Sequence, residues 1–216
     1  MNVELARRQM VDQQVRAWDV LDDRVLDALF EVPRERFVPP AYARLAFADT
    51  EIPLGYGEVM MTPKVEGRLL QALELEADDD VLEIGTGSGF LAACLARLTA
   101  SVMSIDIRAV LSERAGESLR GIGIDTIELQ TRDAMQLDPQ PQFDAVAITA
   151  SLPVYDDRFE RLLRPAGRLF VIVGSIPIME ARRVRRVTED EWSSESLFET
   201  AIPPMINAPQ PAKFIF

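Results

Sequence analysis

The stretch Val81-Leu82-Glu83-Ile84-Gly85-Thr86-Gly87-Ser88-Gly89-Phe90 sets three alternating glycines directly after an apolar run. Glycine takes positive φ without steric penalty and lets a ligand lie against bare backbone. The pattern reads as a buried strand that breaks into a hinge and enters a helix, whose free N–H groups and positive dipole end face the hinge. Such chemistry suits a nucleotide-type cofactor. Asp106 lies 19 positions past Gly87 (106 − 87) at the end of a second apolar run, where a carboxylate accepts both hydroxyls of a ribose. Asp133, in Thr131-Arg132-Asp133-Ala134, follows a third strand at the level an adenine ring would reach. Its carboxylate either accepts the adenine amino group or bonds its own backbone in a turn. The spacing Gly-x-Gly-x-Gly, rather than the Gly-x-Gly-x-x-Gly of dinucleotide enzymes, favours S-adenosylmethionine over NAD.

Those residues need a parallel sheet to bring them together. From Asp80 onward strands alternate with helices: strands near 81–84, 102–107, 126–129, 143–149 and 168–173, and helices over 91–98, 111–120 closed by Gly121, and 155–163 stopped by Pro165. The alternation predicts an α/β fold with a doubly wound, mostly parallel sheet that binds ligands at the carboxyl ends of its strands. Before it, Glu4 to Trp18 and Asp22 to Glu31 carry helical apolar spacing, and a loop around Pro53 to Gly57 leads to Thr62-Pro63. There threonine suits an N-cap and proline the first helical position. Asp144 reads as a strand-start residue, and Leu163 to Leu169 as a turn into the fifth strand. Antiparallel strands are expected near 181–187 and 197–201, before a proline-rich tail.

Composition narrows the chemistry further. With 216 residues and 48% hydrophobic content, one α/β domain is expected. No run approaches the roughly 18 apolar residues of a membrane span, and the N-terminus lacks a basic region followed by an apolar one, so a cytoplasmic protein is expected. A single Cys94 and no histidine exclude a disulfide framework, a multi-cysteine metal site and histidine acid–base catalysis. The net charge of −12 opposes nucleic acid. Arg182-Arg183-Val184-Arg185-Arg186 reads as a solvated edge strand rather than a basic stripe.

The chain resembles the protein-L-isoaspartate O-methyltransferase family of S-adenosylmethionine-dependent enzymes. The match runs through Met10 to Arg16, Val32-Pro33-Arg34, Phe37-Val38-Pro39, Ile52-Pro53-Leu54-Gly55-Tyr56-Gly57, the glycine hinge, Phe143-Asp144-Ala145 and Leu163 to Leu169. The resemblance implies a Rossmann-like class I methyltransferase fold in one domain over 1–216. Residues 1–65 would form a helical extension carrying the acceptor loop, 66–175 the cofactor core, and 176–216 C-terminal strands and a tail. It also implies that Gly85, Thr86 and Gly87 hold the amino-acid part of the cofactor, Asp106 its ribose, and Asp133 with Ala134 its adenine. Glu83, Ile107 and Thr149 complete the expected cofactor positions, and no metal is expected. Asp106 stands where the family usually has glutamate.

The departure from the family lies in the acceptor loop. The family pattern Gly-Tyr-Gly-Gln-Thr-Ile-Ser-x-Pro becomes Gly55-Tyr56-Gly57-Glu58-Val59-Met60-Met61-Thr62-Pro63, so both family hydroxyls are missing, at Val59 and Met61. Thr62 is either a replacement hydroxyl or a helix cap. Transfer to an ionised carboxylate needs no general base, so the lack of histidine is harmless. The leading expectation is methyl transfer to a carboxylate of a protein or peptide of the isoaspartyl repair type. The alternatives are a different acceptor suited to a greasier, Met-lined loop, and a non-catalytic cofactor-binding protein acting through a partner, for which Phe214-Ile215-Phe216 offers an apolar end.

Overall fold

The computed structural model describes residues 2–212 and begins with α1 (Val3–Met10), extended by a π-helical stretch, Val11–Val15, and a short turn. There follow α2 (Asp23–Glu31), β1 (Ile52–Gly55), β2 (Glu58–Met60), α3 (Pro63–Ala72), β3 (Asp80–Ile84), α4 (Phe90–Leu98), β4 (Ser101–Asp106) and α5 (Ala109–Arg120). The chain continues through β5 (Glu128–Thr131), β6 (Phe143–Leu152), β7 (Leu163–Ser175), β8 (Ile178–Arg186) and β9 (Trp192–Thr200). Seven strands form one sheet in the order β5-β4-β3-β6-β7-β8-β9, parallel through β7 and antiparallel at β8 and β9. This is the sheet expected from the alternating pattern, with its chain reversal at β3/β6, where the hinge leaves β3.

One face of the sheet carries Val81, Val102, Ala145, Ala147, Phe170 and Ile172 under the helices. The first six residues of α4, Phe90 to Leu95, are apolar and buried on every side, and its last turn reaches solvent at Arg97. The opposite face, with Leu82, Ile84, Val146, Ile148, Leu169 and Val171, is covered by Phe159, Leu162, Met205 and Ala208 from irregular segments.

Several expectations need correction. No helix forms over 155–163; a single 3-10 turn, Glu160–Leu162, precedes β7, which already pairs with β6 at Leu163. Asp156 accepts from the Arg158 backbone N–H at 3.1 Å, and the Arg158 guanidinium donates to the Met135 carbonyl at 2.5 Å, so the segment is spent as a flat layer. The loop around Pro53 to Gly57 is a β1–β2 hairpin. The strand expected at 126–129 runs two residues later. The arginine-rich strand is not an edge: β8 lies between β7 and β9, and its arginines are partnered. Arg182 pairs with Glu180, Arg183 with Glu74 and Glu195, and Arg185 with Glu74, while buried Arg186 donates to the Leu163 carbonyl at 2.7 Å. Phe214-Ile215-Phe216 lies outside the described residues.

Candidate functional site

The hinge is fixed by backbone geometry before any side chain acts. The N–H groups of Gly85 and Thr86 both donate to the Ile105 carbonyl, at 2.8 and 3.2 Å, so the turn is riveted to the end of β4. Gly85, Gly87 and Gly89 have φ of 101°, 52° and 84°. A Cβ on Gly85 would meet Thr149 Oγ1 at 2.2 Å. That hydroxyl donates toward the Ile84 and Gly85 carbonyls at 3.0 and 2.8 Å, clasping β6 to the turn. Asp106 ends β4 with both oxygens engaged: one accepts from the Gly87 N–H at 2.9 Å, the other from the Arg108 N–H at 2.8 Å. Each oxygen keeps a second lone pair for a ligand.

A solvent-open cleft lies here, at the carboxyl ends of the parallel strands. It brings together Gly85, Gly87, Asp106, Ile107, Asp133, Ala134 and Thr149, with Glu58 and Val59 from the hairpin and Pro204, Met205 and Ile206 from the tail. Pro204, Met205 and Ile206 carry no signal for this site in the sequence. The tail docks because the Ser151 N–H donates to the Pro203 carbonyl at 3.0 Å and the Met205 N–H to the Ser151 carbonyl at 2.8 Å. Asp133 both turns its own backbone, accepting from the Met135 N–H at 2.9 Å, and accepts from Asn207 Nδ2 at 2.9 Å. Two carboxylates on adjacent strand ends, bare backbone and aliphatic walls suit a nucleoside with vicinal hydroxyls.

Glu83 and Thr86 do not line that cleft. Together with Val59, Met61, Glu66 and Leu91 they line a small chamber beneath the hinge. Thr86 Oγ1 bonds Ser104 Oγ at 2.6 Å, and Ser104 donates to Glu83. Glu83 is wholly buried, with Oε1 unpartnered, and burial pushes its pKa up to about 8 against the Ser104 hydrogen bond; the charges of Asp106 and Glu66 add to the rise. Glu66 meets Arg34, which is 0% exposed. Burial pushes Glu66 up to about 7 although the guanidinium opposes the rise. Arg34 also donates to the Ala46 carbonyl at 3.0 Å and the Met61 carbonyl at 2.7 Å, and stacks over Phe90 at 4.7 Å. It thereby anchors the acceptor loop. Glu66 had a sequence signal, a carboxylate among Val65, Leu69 and Leu70 on the buried side of α3.

The acceptor-loop positions part company. Val59 borders both the cleft and the chamber, whereas Met61 walls the chamber and, with Thr62, an outer pocket shared with Trp18, Thr200 and Ile202. Thr62 occupies the N-cap of α3, and its carbonyl accepts from Val65 and Glu66 N–H groups at 3.1 Å, but its side chain makes no cap bond. Thr62 Oγ1 is buried without a partner. The capping reading of that hydroxyl is therefore corrected.

A seven-stranded sheet with a glycine hinge after its first parallel strand and the cleft at the carboxyl edge defines a class I methyltransferase fold. Residues 6–207 match the family model for protein-L-isoaspartate(D-aspartate) O-methyltransferase. The chain is 34% identical over 209 residues to protein-L-isoaspartate O-methyltransferase 2 of Pelobacter propionicus, covering 96% of this chain and 93% of that one. It is 38% identical over 169 residues to protein-L-isoaspartate O-methyltransferase of Methanoculleus marisnigri, covering 78% and 77%. A Plasmodium falciparum chain described as a beta-aspartate methyltransferase in complex with S-adenosyl-L-homocysteine superposes with a TM-score of 0.80 at 16% identity, over 92% of this chain and 97% of that one. The chain belongs to the protein-L-isoaspartate(D-aspartate) O-methyltransferase family.

Proposed function

We propose that this chain is an S-adenosylmethionine-dependent methyltransferase acting on a carboxylate of a polypeptide, of the isoaspartyl type. The observation that carries the reading is the cleft itself: Gly85 and Gly87 in left-handed backbone beside Asp106, with Asp133 one strand further on, in a chain of this family. Asp106 would take the ribose diol, Asp133 with Ala134 the adenine, Ile107 a hydrophobic face of the ring, and the hinge backbone the amino-acid end. The cofactor, when bound, supplies an electrophilic methyl group. The acceptor carboxylate is ionised near pH 7, so the chain is required to align, shelter and exclude water rather than remove a proton.

Of Val59, Met61 and Thr62, only Thr62 carries a hydroxyl. We propose it as the acceptor-side hydroxyl because it is the one hydroxyl left in the loop and its buried oxygen is unpartnered, although it lines the outer pocket beside Met61 rather than the cofactor cleft. Thr62→Val should cut transfer about 5- to 150-fold, the worth of a hydrogen bond to a charged group, while cofactor affinity and folding stay unchanged. Labelled cofactor incubated with an isoaspartyl peptide and its aspartyl counterpart tests the activity. Label on the isoaspartyl peptide alone is expected, and label on neither contradicts the reading.

A further inference from the structure

The tip of the hairpin is a sequence of three left-handed residues: Gly55, Tyr56 and Gly57 have φ of 97°, 60° and 85°. For the two glycines this is free, and a Cβ there would meet nothing within 4 Å, so the tip projects into open space. For Tyr56 it is strained, and bulky residues hold such backbone only where their surroundings enforce it. One side chain does so. Arg108 donates to the Tyr56 carbonyl at 3.1 Å and, through Nε, to Glu58 Oε1 at 3.0 Å, and its guanidinium stacks on the Tyr56 ring at 5.2 Å. The same residue's backbone N–H donates to Asp106 at 2.8 Å. Glu58 itself lines the cleft.

We propose that Arg108 is a positioning residue coupling cofactor binding to closure of the β1–β2 hairpin. The inference rests on the reading that Asp106 holds the ribose of the cofactor. A ligand on Asp106 steadies the turn from which Arg108 springs, and Arg108 in turn draws down Tyr56 and Glu58, carrying Val59 to Met61 into place. Binding is then ordered, with cofactor first and acceptor second, and release requires the Arg108–Glu58 contact to open. Glu58 matters as a charge: the resemblance puts a neutral glutamine at this position, and only the carboxylate forms an ion pair with Arg108.

Release of S-adenosylhomocysteine, followed by stopped-flow displacement, and chymotryptic cleavage at Tyr56 test this without turnover. Glu58→Gln and Arg108→Gln should each release product roughly two- to fivefold faster, the range for a partly exposed ion pair. Both variants should lose the cofactor's protection of Tyr56 from cleavage. The charge swap Glu58→Arg/Arg108→Glu should release more slowly than either single variant, and added salt should speed release from the wild type but not from the singles. Unchanged release and cleavage in both single variants overturn the inference while leaving the cofactor reading standing. A wild-type chain that binds no S-adenosylhomocysteine overturns both.

Discussion

Gly85 and Glu83 lie two residues apart and make opposite demands on the same turn. Gly85 must lack a side chain, for its φ is 101° and Thr149 Oγ1 occupies the space a Cβ would fill. Gly85→Ala should therefore cost about 1–3 kcal/mol of stability and weaken cofactor binding at least tenfold, read by urea unfolding and titration calorimetry. Glu83 carries a charge-capable group where water cannot reach. Its pKa is raised from the ordinary 4.5 to about 8, so the folded state holds the proton more tightly than the unfolded chain does. That contribution is full below about pH 4.5 and is lost as pH rises toward 8, and Glu66 acts in the same direction up to about 7. Melting temperature should fall across that window, and Glu83→Gln should flatten the fall. The glycines announce their role in the sequence because only φ and space decide it. Glu83 was expected among cofactor residues, but its burial depends on Ser104 and Glu66 arriving from other elements, which no local pattern reveals.

At the scale of elements, the acceptor loop is held by arginines from two separate segments. Arg34 reaches the Met61 carbonyl from the chain before β1, and Arg108 holds Tyr56 and Glu58 from the start of α5. Arg34→Met should destabilise the fold by about 3–5 kcal/mol, since Glu66 is left buried without its cation. The double variant Arg34→Met/Glu66→Leu should recover much of that loss in chemical denaturation. The parallel core was legible because strands β3, β4 and β6 are mostly apolar, broken by single polar residues such as Glu83 and Ser104, with turn signals between them. The segment 155–163 was misread because Phe159 and Leu162 at a three-residue spacing mimic an amphipathic helix, when they cap the sheet from a turn. The arginine run of β8 was misplaced for a related reason. Exposure of charge suggested an edge, but Glu74, from the turn after α3, and Glu195, opposite Arg183 on β9, cover it.

At the scale of the whole molecule, the site is closed by both ends of the described chain. The N-terminal third supplies the hairpin over one side of the cleft, and the tail supplies Pro204, Met205 and Ile206 on the other, tied down by Asn207 to Asp133. Cofactor binding should therefore tighten the molecule as a unit. At a hundredfold excess over Kd, S-adenosylhomocysteine should add about 2.7 kcal/mol and raise the melting temperature by roughly 5–10 °C, with NAD giving no shift. The central claim is methyl transfer to an isoaspartyl carboxylate despite Val59 and Met61. Mass spectrometry of an isoaspartyl peptide after incubation with the chain and S-adenosylmethionine tests it most directly. The account predicts one added methyl group, removed by mild base as an ester is, on that peptide and not on its aspartyl twin. An unmodified isoaspartyl peptide, from a chain that binds the cofactor, would contradict it.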